Sequence, residues 1–434
     1  MVETALPRIG IDGYNLALAK GTGVATYTRN LAAALDERGY PIDLVFSLNI
    51  PRRIDPDLRE SVFFGRLADP TPQRLTWRRR LRRAVMLPTA KDLIGVPVTG
   101  RVIAESTVDR LPRFDRLFNR SEVFDTCVRY FRRYDRFMTL RMPSPPAIMH
   151  WTYPLPLRLE GAHNVYTIHD LVPLRLPGAS TEDKRYYDRM VRRCVADAAH
   201  VVTVSETSRR DIIDLLGADP QRVSNAYQSS NLPSLLDRAE LPGRLRRLFD
   251  LEAGEYFLFF GAIEPKKNLG RLIEAYLEAD IETPLLIVGG EGWHADQELR
   301  LLNGAHGVVL PGTARIRRID HLPRPLLGDL LHGARAVLFP ALYEGFGLPA
   351  LEALAAGVPL LASTTGALPE IVGDAAITVD PYDVRAITAA IRRLDADAGL
   401  RARLAAAGPL QAARFSRAGF GDAVKRIYDT VLNR

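Results

Sequence analysis

Residues 337–361 constrain the fold of this chain more than any other stretch. An apolar strand, Val337 to Phe339, runs into a glycine-bearing loop and then a short helix, with Pro349 at its first position and Gly357 and Pro359 closing it. A passage from strand through loop to helix leaves the first backbone N–H groups of the helix without intrahelical partners. Here they belong to Gly345, Phe346, Gly347 and Leu348, and they aim the positive end of the helix at whatever lies in front. An anion is the natural occupant.

Two carboxylates flank this place, Glu344 in the loop and Glu352 in the helix, eight residues apart. A carboxylate repels a phosphate, so beside a phosphate these two would reach past it to hydroxyls, which they accept well. A sugar nucleotide offers both: a diphosphate in the middle, a ribose diol on one side and a hexose on the other. The plainer alternative is that Glu352 complements the helix dipole and Glu344 is a solvated loop residue.

The run Tyr343-Glu344-Gly345-Phe346-Gly347-Leu348-Pro349, followed by Leu351-Glu352-Ala353, resembles the Glu-(seven residues)-Glu signature of the retaining glycosyltransferases of family 4. That resemblance implies an α/β chain of GT-B fold, two Rossmann-like doubly wound parallel-sheet domains facing across a cleft. It also implies transfer of a hexosyl group from a nucleotide sugar with retention of configuration and without a metal cofactor. Within the family the chain is similar to polysaccharide and O-antigen mannosyl- and rhamnosyltransferases, which makes GDP-mannose the leading donor.

At 434 residues and 47% hydrophobic content the chain is long enough for two cores. Two cysteines, Cys127 and Cys194, offer no disulfide framework and point to a reducing compartment. No signal peptide or membrane span fits, so a cytoplasmic protein is expected, peripheral on the inner face of the membrane if its acceptor lies there. The net charge of +7 is uneven: residues 66–141 hold 18 Lys and Arg against 8 Asp and Glu. Arg74 to Arg83 packs six arginines around Leu75, Trp77 and Leu81, and Arg113 to Arg141 interleaves arginines with Phe114, Phe118, Phe124, Tyr130, Phe131, Tyr134 and Phe137. Basic and aromatic residues together could bind nucleic acid, but no nucleic-acid module accompanies them, so none is expected. An Arg-rich helical insertion over about 51–147 that rests on anionic lipid fits better, and a helical hairpin with solvated arginines is the alternative.

Along the chain, Arg8–Gly13 reads as a strand, and Gly21-Thr22-Gly23 leads into a helix with Val24, Tyr27, Leu31 and Leu35 on one face. Such a loop is often a plain turn; by resemblance it lies under the donor phosphates or meets the acceptor. Val165–Ile168 is a buried strand ending in His169-Asp170, at a carboxyl end where open sheets bind ligands. The pair could cap a turn, whereas the resemblance puts His169 beside the donor sugar. Tyr186–Ala199 reads as a helix, and Ser205 as the N-cap of another over Glu206–Leu216. The polar stretch Asn225–Pro242 reads as a linker, with Asn225-Ala226 where the family often has Asn-Gly.

Strands at Tyr256–Phe260, Leu285–Val288, Val308–Leu310, Val337–Phe339, Leu360–Ala362 and Ile377–Val379, separated by helices, predict a second parallel sheet. Its first strand ends in Glu264-Pro265-Lys266-Lys267-Asn268, with Asn268 predicted to cap the helix Leu269–Ala279. Two lysines at a helix entrance gain nothing from the dipole, so an anion between them is expected. The resemblance makes Lys267 the family's diphosphate-gripping lysine, with Lys266 where arginine is usual. Residues 311–325 resemble by position the nucleobase loop. The expected division is 1–235 and 236–415, with a last helix over 416–434 crossing back onto the first domain.

Lys267, Glu344 and His169 are thus the candidate catalytic groups. Lys266, Lys267, Glu344, Gly345, Phe346, Gly347, Leu348 and Glu352 are the candidate donor-binding groups, with Gly21, Thr22 and Gly23 as the first loop. The alternatives are a synthase or phosphorylase acting on soluble sugars or sugar phosphates, and a non-catalytic binder of sugar nucleotides or nucleic acid.

Overall fold

The computed structural model describes residues 6–18, 23–51, 54–69, 90–100, 111–180, 183–230, 239–303 and 311–434. The strands of the N-terminal half are β1 (Ile9–Asp12), β2 (Ile42–Phe46), β3 (Ala90–Asp92), β4 (Ile94–Val96), β5 (Arg116–Asn119), β6 (Met138–Arg141), β7 (Ile148–Trp151), β8 (Leu157–Leu159), β9 (His163–Thr167), β10 (His200–Thr203) and β11 (Val223–Asn225). Eight of them form one sheet in the order β11-β10-β9-β7-β1-β2-β5-β4, in which only β4 runs antiparallel to its neighbour. The remaining three, β3, β6 and β8, pair side by side in a small separate sheet. Strands β1, β2, β7 and β10 are buried along their whole length, as expected where helices cover both faces of a parallel sheet.

The C-terminal half builds a second sheet from β12 (Phe257–Phe260), β13 (Leu285–Val288), β14 (Ile316–Ile319), β15 (Ala336–Phe339), β16 (Leu360–Ser363) and β17 (Ile377–Val379). Their order is β14-β13-β12-β15-β16-β17, with every pairing parallel. Both sheets are doubly wound. From β1 the chain builds outward through β2 on one side and through β7 on the other, and from β12 through β13 and through β15. Ligands bind where the winding reverses, outside the carboxyl ends of those central strands. The loops after β1, β7, β12 and β15 are therefore the ones that matter.

The last helix, Arg417–Leu432, leaves the second sheet and packs on the first. Phe420, Val424, Ile427, Tyr428 and Val431 are buried in the same cluster as Ile9, Ile11, Tyr27 and Ile42. Polar ties complete the docking: Arg38 pairs with Asp422 at 2.6 Å, Arg417 with Glu37 at 2.8 Å, and the Tyr428 hydroxyl lies 2.6 Å from His150 Nδ1.

Several expectations need correction. Among its described residues the segment 51–147 is not wholly helical, because β4 and β5 are strands of the main sheet and β3 and β6 of the small one. Its aromatics Phe118, Phe124, Tyr130, Phe131 and Phe137 are buried, and among the described residues the helices Pro56–Ala68 and Val123–Tyr134 carry the predicted period. Arg116, read as part of a lipid-facing run, instead grips the buried Asp43 together with Arg8, at 2.6 and 3.0 Å. The helix predicted over Tyr186–Ala199 spans Lys184–Asp197, since the Asp183 side chain accepts from Tyr186 N–H and starts it earlier. Arg74–Arg83 and the strand expected at Val308–Leu310 lie outside the described residues. The outer strand β14 carries Arg317 and Arg318, which hid it from an apolar pattern. Among the described residues, no helix is long and apolar enough to cross a membrane.

The Tyr428–His150 contact yields a stability prediction. Tyr428→Phe leaves a buried imidazole nitrogen without its partner and should cost about 1–3 kcal/mol. A lower denaturation midpoint in urea with an unchanged slope is the expected readout.

Candidate active site

The loops after β12 and β15 meet above the second sheet. Leu342 N–H donates to the Lys266 carbonyl at 2.8 Å, which stitches one loop to the other. Asn268, predicted to cap the next helix, has φ of 62° and makes no side-chain cap. Its Nδ2 instead donates to the carbonyls of Pro340 (2.9 Å) and Pro381 (2.7 Å), tying the lysine loop to the ends of β15 and β17. The tight turn Pro265–Lys267 sets both lysines just past the carboxyl end of β12.

Lys267 and Glu344 form a buried ion pair, with the Lys267 ammonium also 4.9 Å above the Phe339 ring centre. Burial alone would raise the Glu344 carboxyl, but Lys267 and Lys266 outweigh it and hold the group below the ordinary carboxylate value. Lys266 lies 3.5 Å from Glu264. Burial works against its charge, yet Glu344, Asp170 and Glu264 together raise it above an ordinary lysine. Glu264 is itself pushed up by burial, against the pull of the two lysines. The Lys266 ammonium is therefore kept charged beside the Lys267–Glu344 pair.

The helix after β15 spans Leu348–Ala355, with Gly347 at its N-cap in the left-handed region (φ 97°) that favours glycine. Among the described residues, none accepts from the N–H groups of Gly345, Phe346, Gly347 and Leu348. Glu352 is buried one turn inside and pairs with Arg324 at 2.8 Å. Burial raises its carboxyl, with Arg324 pulling the other way. The simple picture of Glu352 as a dipole partner thus gives way to a buried carboxylate paired with an arginine.

Across the cleft, groups of the first sheet reach the same loop. A Cβ on Gly345 would come within 2.6 Å of Asp170 Cβ and 2.9 Å of the His169 carbonyl, so only glycine permits this approach. Gly23 faces Leu348, while Gly21 and Thr22 lie outside the described residues. His169 Nε2 lies 2.9 Å from the Thr152 carbonyl. Burial lowers the His169 pKa, against the Thr152 carbonyl and Asp170, which raise it. Asp170 does cap a turn, accepting from Val172 N–H at 3.0 Å.

Sequence reasoning missed the contacts that hold the two halves together here. The Tyr343 hydroxyl donates to Asp211, which Arg175 also grips. Glu370 accepts from the N–H groups of Glu206 (3.0 Å) and Thr207 (2.9 Å) and from the Tyr227 hydroxyl (2.7 Å). It stands at the N-terminus of the helix Glu206–Leu216, whose N-cap Ser205 holds Ser208 N–H as predicted. These residues are isolated charges in sequence, with no local pattern to single them out. In the stretch 311–325, Arg315 pairs with Glu282 and Asp280, and Arg317 donates to the Phe249 and Asp250 carbonyls. Arg318 pairs with Glu291 and Asp320 beside the end of β14.

Residues 247–411 match the model for glycosyl transferases group 1, and residues 22–225 that for the glycosyl transferase 4-like domain. O-antigen chain mannosyltransferase B of Escherichia coli is 36% identical over 272 residues, 60% of this chain and 68% of that protein. The chain belongs to the family-4 glycosyltransferases. The serotype-specific mannosyltransferase WbdA of Escherichia coli is 28% identical over 58% of this chain, which spans 31% of that relative's length. Sucrose-phosphate synthase from Thermosynechococcus elongatus has the same fold, with a TM-score of 0.66 at 18% identity over 98% of each chain. This family-4 glycosyltransferase has the GT-B fold and is a nucleotide-sugar-dependent hexosyltransferase.

Replacing Lys267 by Met leaves Glu344 buried beside fewer charges and should destabilise the fold by about 3–5 kcal/mol at neutral pH. The folded pKa of Glu344 lies below its unfolded value near 4.5, so the contribution of the pair is present above 4.5 and fades as pH falls through the lower folded value. Denaturation curves of wild type and Lys267→Met should therefore converge in acid. A gap independent of pH would mean that the ion pair is not its source.

Proposed function

We propose that this glycosyltransferase moves a mannosyl group, with retention, from GDP-mannose to a lipid-linked or polysaccharide acceptor at a membrane surface. The observation that carries the donor side is the convergence of Lys266, Lys267 and the Gly345–Leu348 amides at the reversal point of the second sheet. A departing nucleoside diphosphate gathers negative charge on its β-phosphate, and buried ammonium groups with a helix N-terminus stabilise that charge without reorganising. Mannose as the sugar is supported by the names of the Escherichia coli relatives.

In this reading Glu344, held by Lys267, accepts hydroxyls of the hexose, and Glu352, held by Arg324, accepts those of the ribose. Both carboxylates position rather than attack, fixing the anomeric carbon against the acceptor hydroxyl. His169 completes the sugar pocket from the other domain, so the reactive geometry exists only when the two halves meet.

The membrane side rests on charge. Arg132, Arg133 and Arg136 are exposed at the end of the helix Val123–Tyr134, and Lys184, Arg185 and Arg189 are exposed on the helix beside it. Phe131 and Tyr186 join the two helices at 5.7 Å. A surface of this kind attracts anionic headgroups, with roughly 1 kcal/mol per basic residue near the membrane.

Three outcomes are expected. GDP should raise the melting temperature more than UDP, dTDP or ADP at equal concentration, by mass action on the folded state. Glu344→Gln keeps an acceptor for Lys267 and should stay folded while losing transfer roughly hundredfold, read as nucleoside diphosphate release; full transfer in that variant would remove Glu344 from the mechanism. The chain should float with vesicles containing phosphatidylglycerol, and reversing Arg132, Arg133 and Arg185 to Glu should release it. Equal flotation with neutral vesicles would remove charge as the cause, and no flotation with either would argue for a soluble acceptor.

A further inference from the structure

The carboxyl ends of β1 and β7 hold a polar cluster that the donor grip does not use. Asp12 closes β1 and is fully buried, and among the described residues no lysine or arginine pairs with it. Its Oδ2 accepts both the N–H and the hydroxyl (2.9 Å) of Thr152, the first residue past β7, and its Oδ1 accepts Tyr14 N–H at 3.1 Å. Thr28 Oγ1 lies 2.9 Å from the same Thr152 hydroxyl. A carboxylate buried without a cation is costly, and this one is retained with only hydrogen bonds to offset the cost.

Pinning Thr152 by both of its donors fixes the peptide group that follows. Its carbonyl is the one that meets His169 Nε2 at 2.9 Å. A carbonyl oxygen only accepts, so this contact requires a proton on Nε2. The imidazole is neutral at pH 7 because burial disfavours its charge, and a neutral ring has one N–H. Nδ1 is then bare. The ring plane is held as well: Tyr27 meets it edge-on, with 4.8 Å between centres and 87° between planes. The Tyr27 hydroxyl in turn lies 2.9 Å from Thr167 Oγ1, and His150 Nε2 lies 2.7 Å from that same oxygen. The last helix reaches this chain of contacts through Tyr428 and His150.

We propose that Asp12 and Thr152 are positioning residues that keep His169 in its Nε2–H tautomer, leaving Nδ1 as a hydrogen-bond acceptor for a hydroxyl of the donor hexose. The second half of this statement rests on the hexosyl-transfer reading above; the tautomer stands without it. A ring fixed in this way cannot donate from Nδ1, so His169 orients the sugar and does not protonate the leaving group. No bond is made or broken at the histidine.

The test uses the full chain labelled with ¹⁵N-histidine, with His169→Gln to assign its signals. Long-range ¹H–¹⁵N spectra distinguish a protonated from a bare ring nitrogen. The expected wild-type result is one tautomer, Nε2 protonated and Nδ1 bare, with the Nδ1 signal moving upfield on saturation with GDP-mannose. A proton on Nδ1 in the free protein would overturn the tautomer assignment. A bare Nδ1 that does not respond to bound GDP-mannose would overturn its role as acceptor. Thr152→Val and Asp12→Ala should shift His169 towards a tautomer mixture and lower kcat roughly tenfold, with GDP affinity unchanged, since the diphosphate groups sit on the other domain. Thr152→Ser should restore both readouts. An unchanged His169 spectrum in folded Thr152→Val would remove the positioning role, and that variant keeps the test open if Asp12→Ala does not fold. Failure of GDP, UDP, dTDP and ADP alike to stabilise the wild type would count against the donor reading and leave the tautomer result intact.

Discussion

Two opposite charges taken out of water beside an aromatic ring must satisfy each other, and the Lys267–Glu344 pair does so between loops that arise 77 residues apart. Removing either partner leaves an uncompensated charge in a low-dielectric pocket, which costs far more than the pair gains over well-packed apolar residues. The pair therefore specifies geometry more than it adds stability. It locks the ends of β12 and β15 together at the point where the sheet reverses, with Asn268 and the Lys266 carbonyl holding the backbone around it. Everything placed on those loops inherits that register, including the unsatisfied N–H groups of Gly345 to Leu348.

The same loop is shared with the other half of the molecule. Phe346, Leu351, Ala367 and Ile371 are buried in the cluster built on the first sheet rather than the one built on the second. Phe346 meets Phe415 edge-on at 5.9 Å, and Phe415 meets Tyr227 at 5.3 Å. The polar contacts of Glu370 and of Tyr343 with Asp211 surround this apolar seam, and most of them use one helix, Glu206–Leu216. A Glu at the N-terminus of that helix gains from its dipole as well as from two N–H donors. The contact between the two halves is thus encoded in a few charged residues whose partners lie more than a hundred positions away.

That distance explains what was legible in the sequence and what was not. The strands that carry the winding were readable because parallel strands covered on both faces are continuous apolar runs, as in Phe257–Phe260 and Leu285–Val288. The signature around Glu344 was readable because its chemistry is local: glycines where the backbone must approach, a proline at the helix start, and carboxylates at a fixed offset. Asp211, Glu370, Arg324 and Asp12 act through partners supplied only by the fold, and nothing in their own neighbourhood marks them. The segment 51–147 misled for a different reason. A strand such as Arg116-Leu117-Phe118-Asn119 alternates too briefly to stand out among arginines, and one of those arginines is spent on the buried Asp43.

The crossing of the last helix gives the two halves a common origin of coordinates. Arg417–Leu432 follows the second sheet in sequence, yet its buried face belongs to the first, and Tyr428 sits among residues that lead through His150 and Thr167 to Tyr27 and the His169 ring. A helix that merely covered apolar surface would need no hydroxyl in that position, because an unpaired polar group there is a cost. Its pairing with a buried neutral histidine makes the fit specific, since a slip of one residue in the helix register would break the contact and leave both groups unsatisfied. The element that ties the two halves together is therefore also the one whose contacts lead to the His169 ring, so the seam between the halves and the setting of that ring share one mechanical reference.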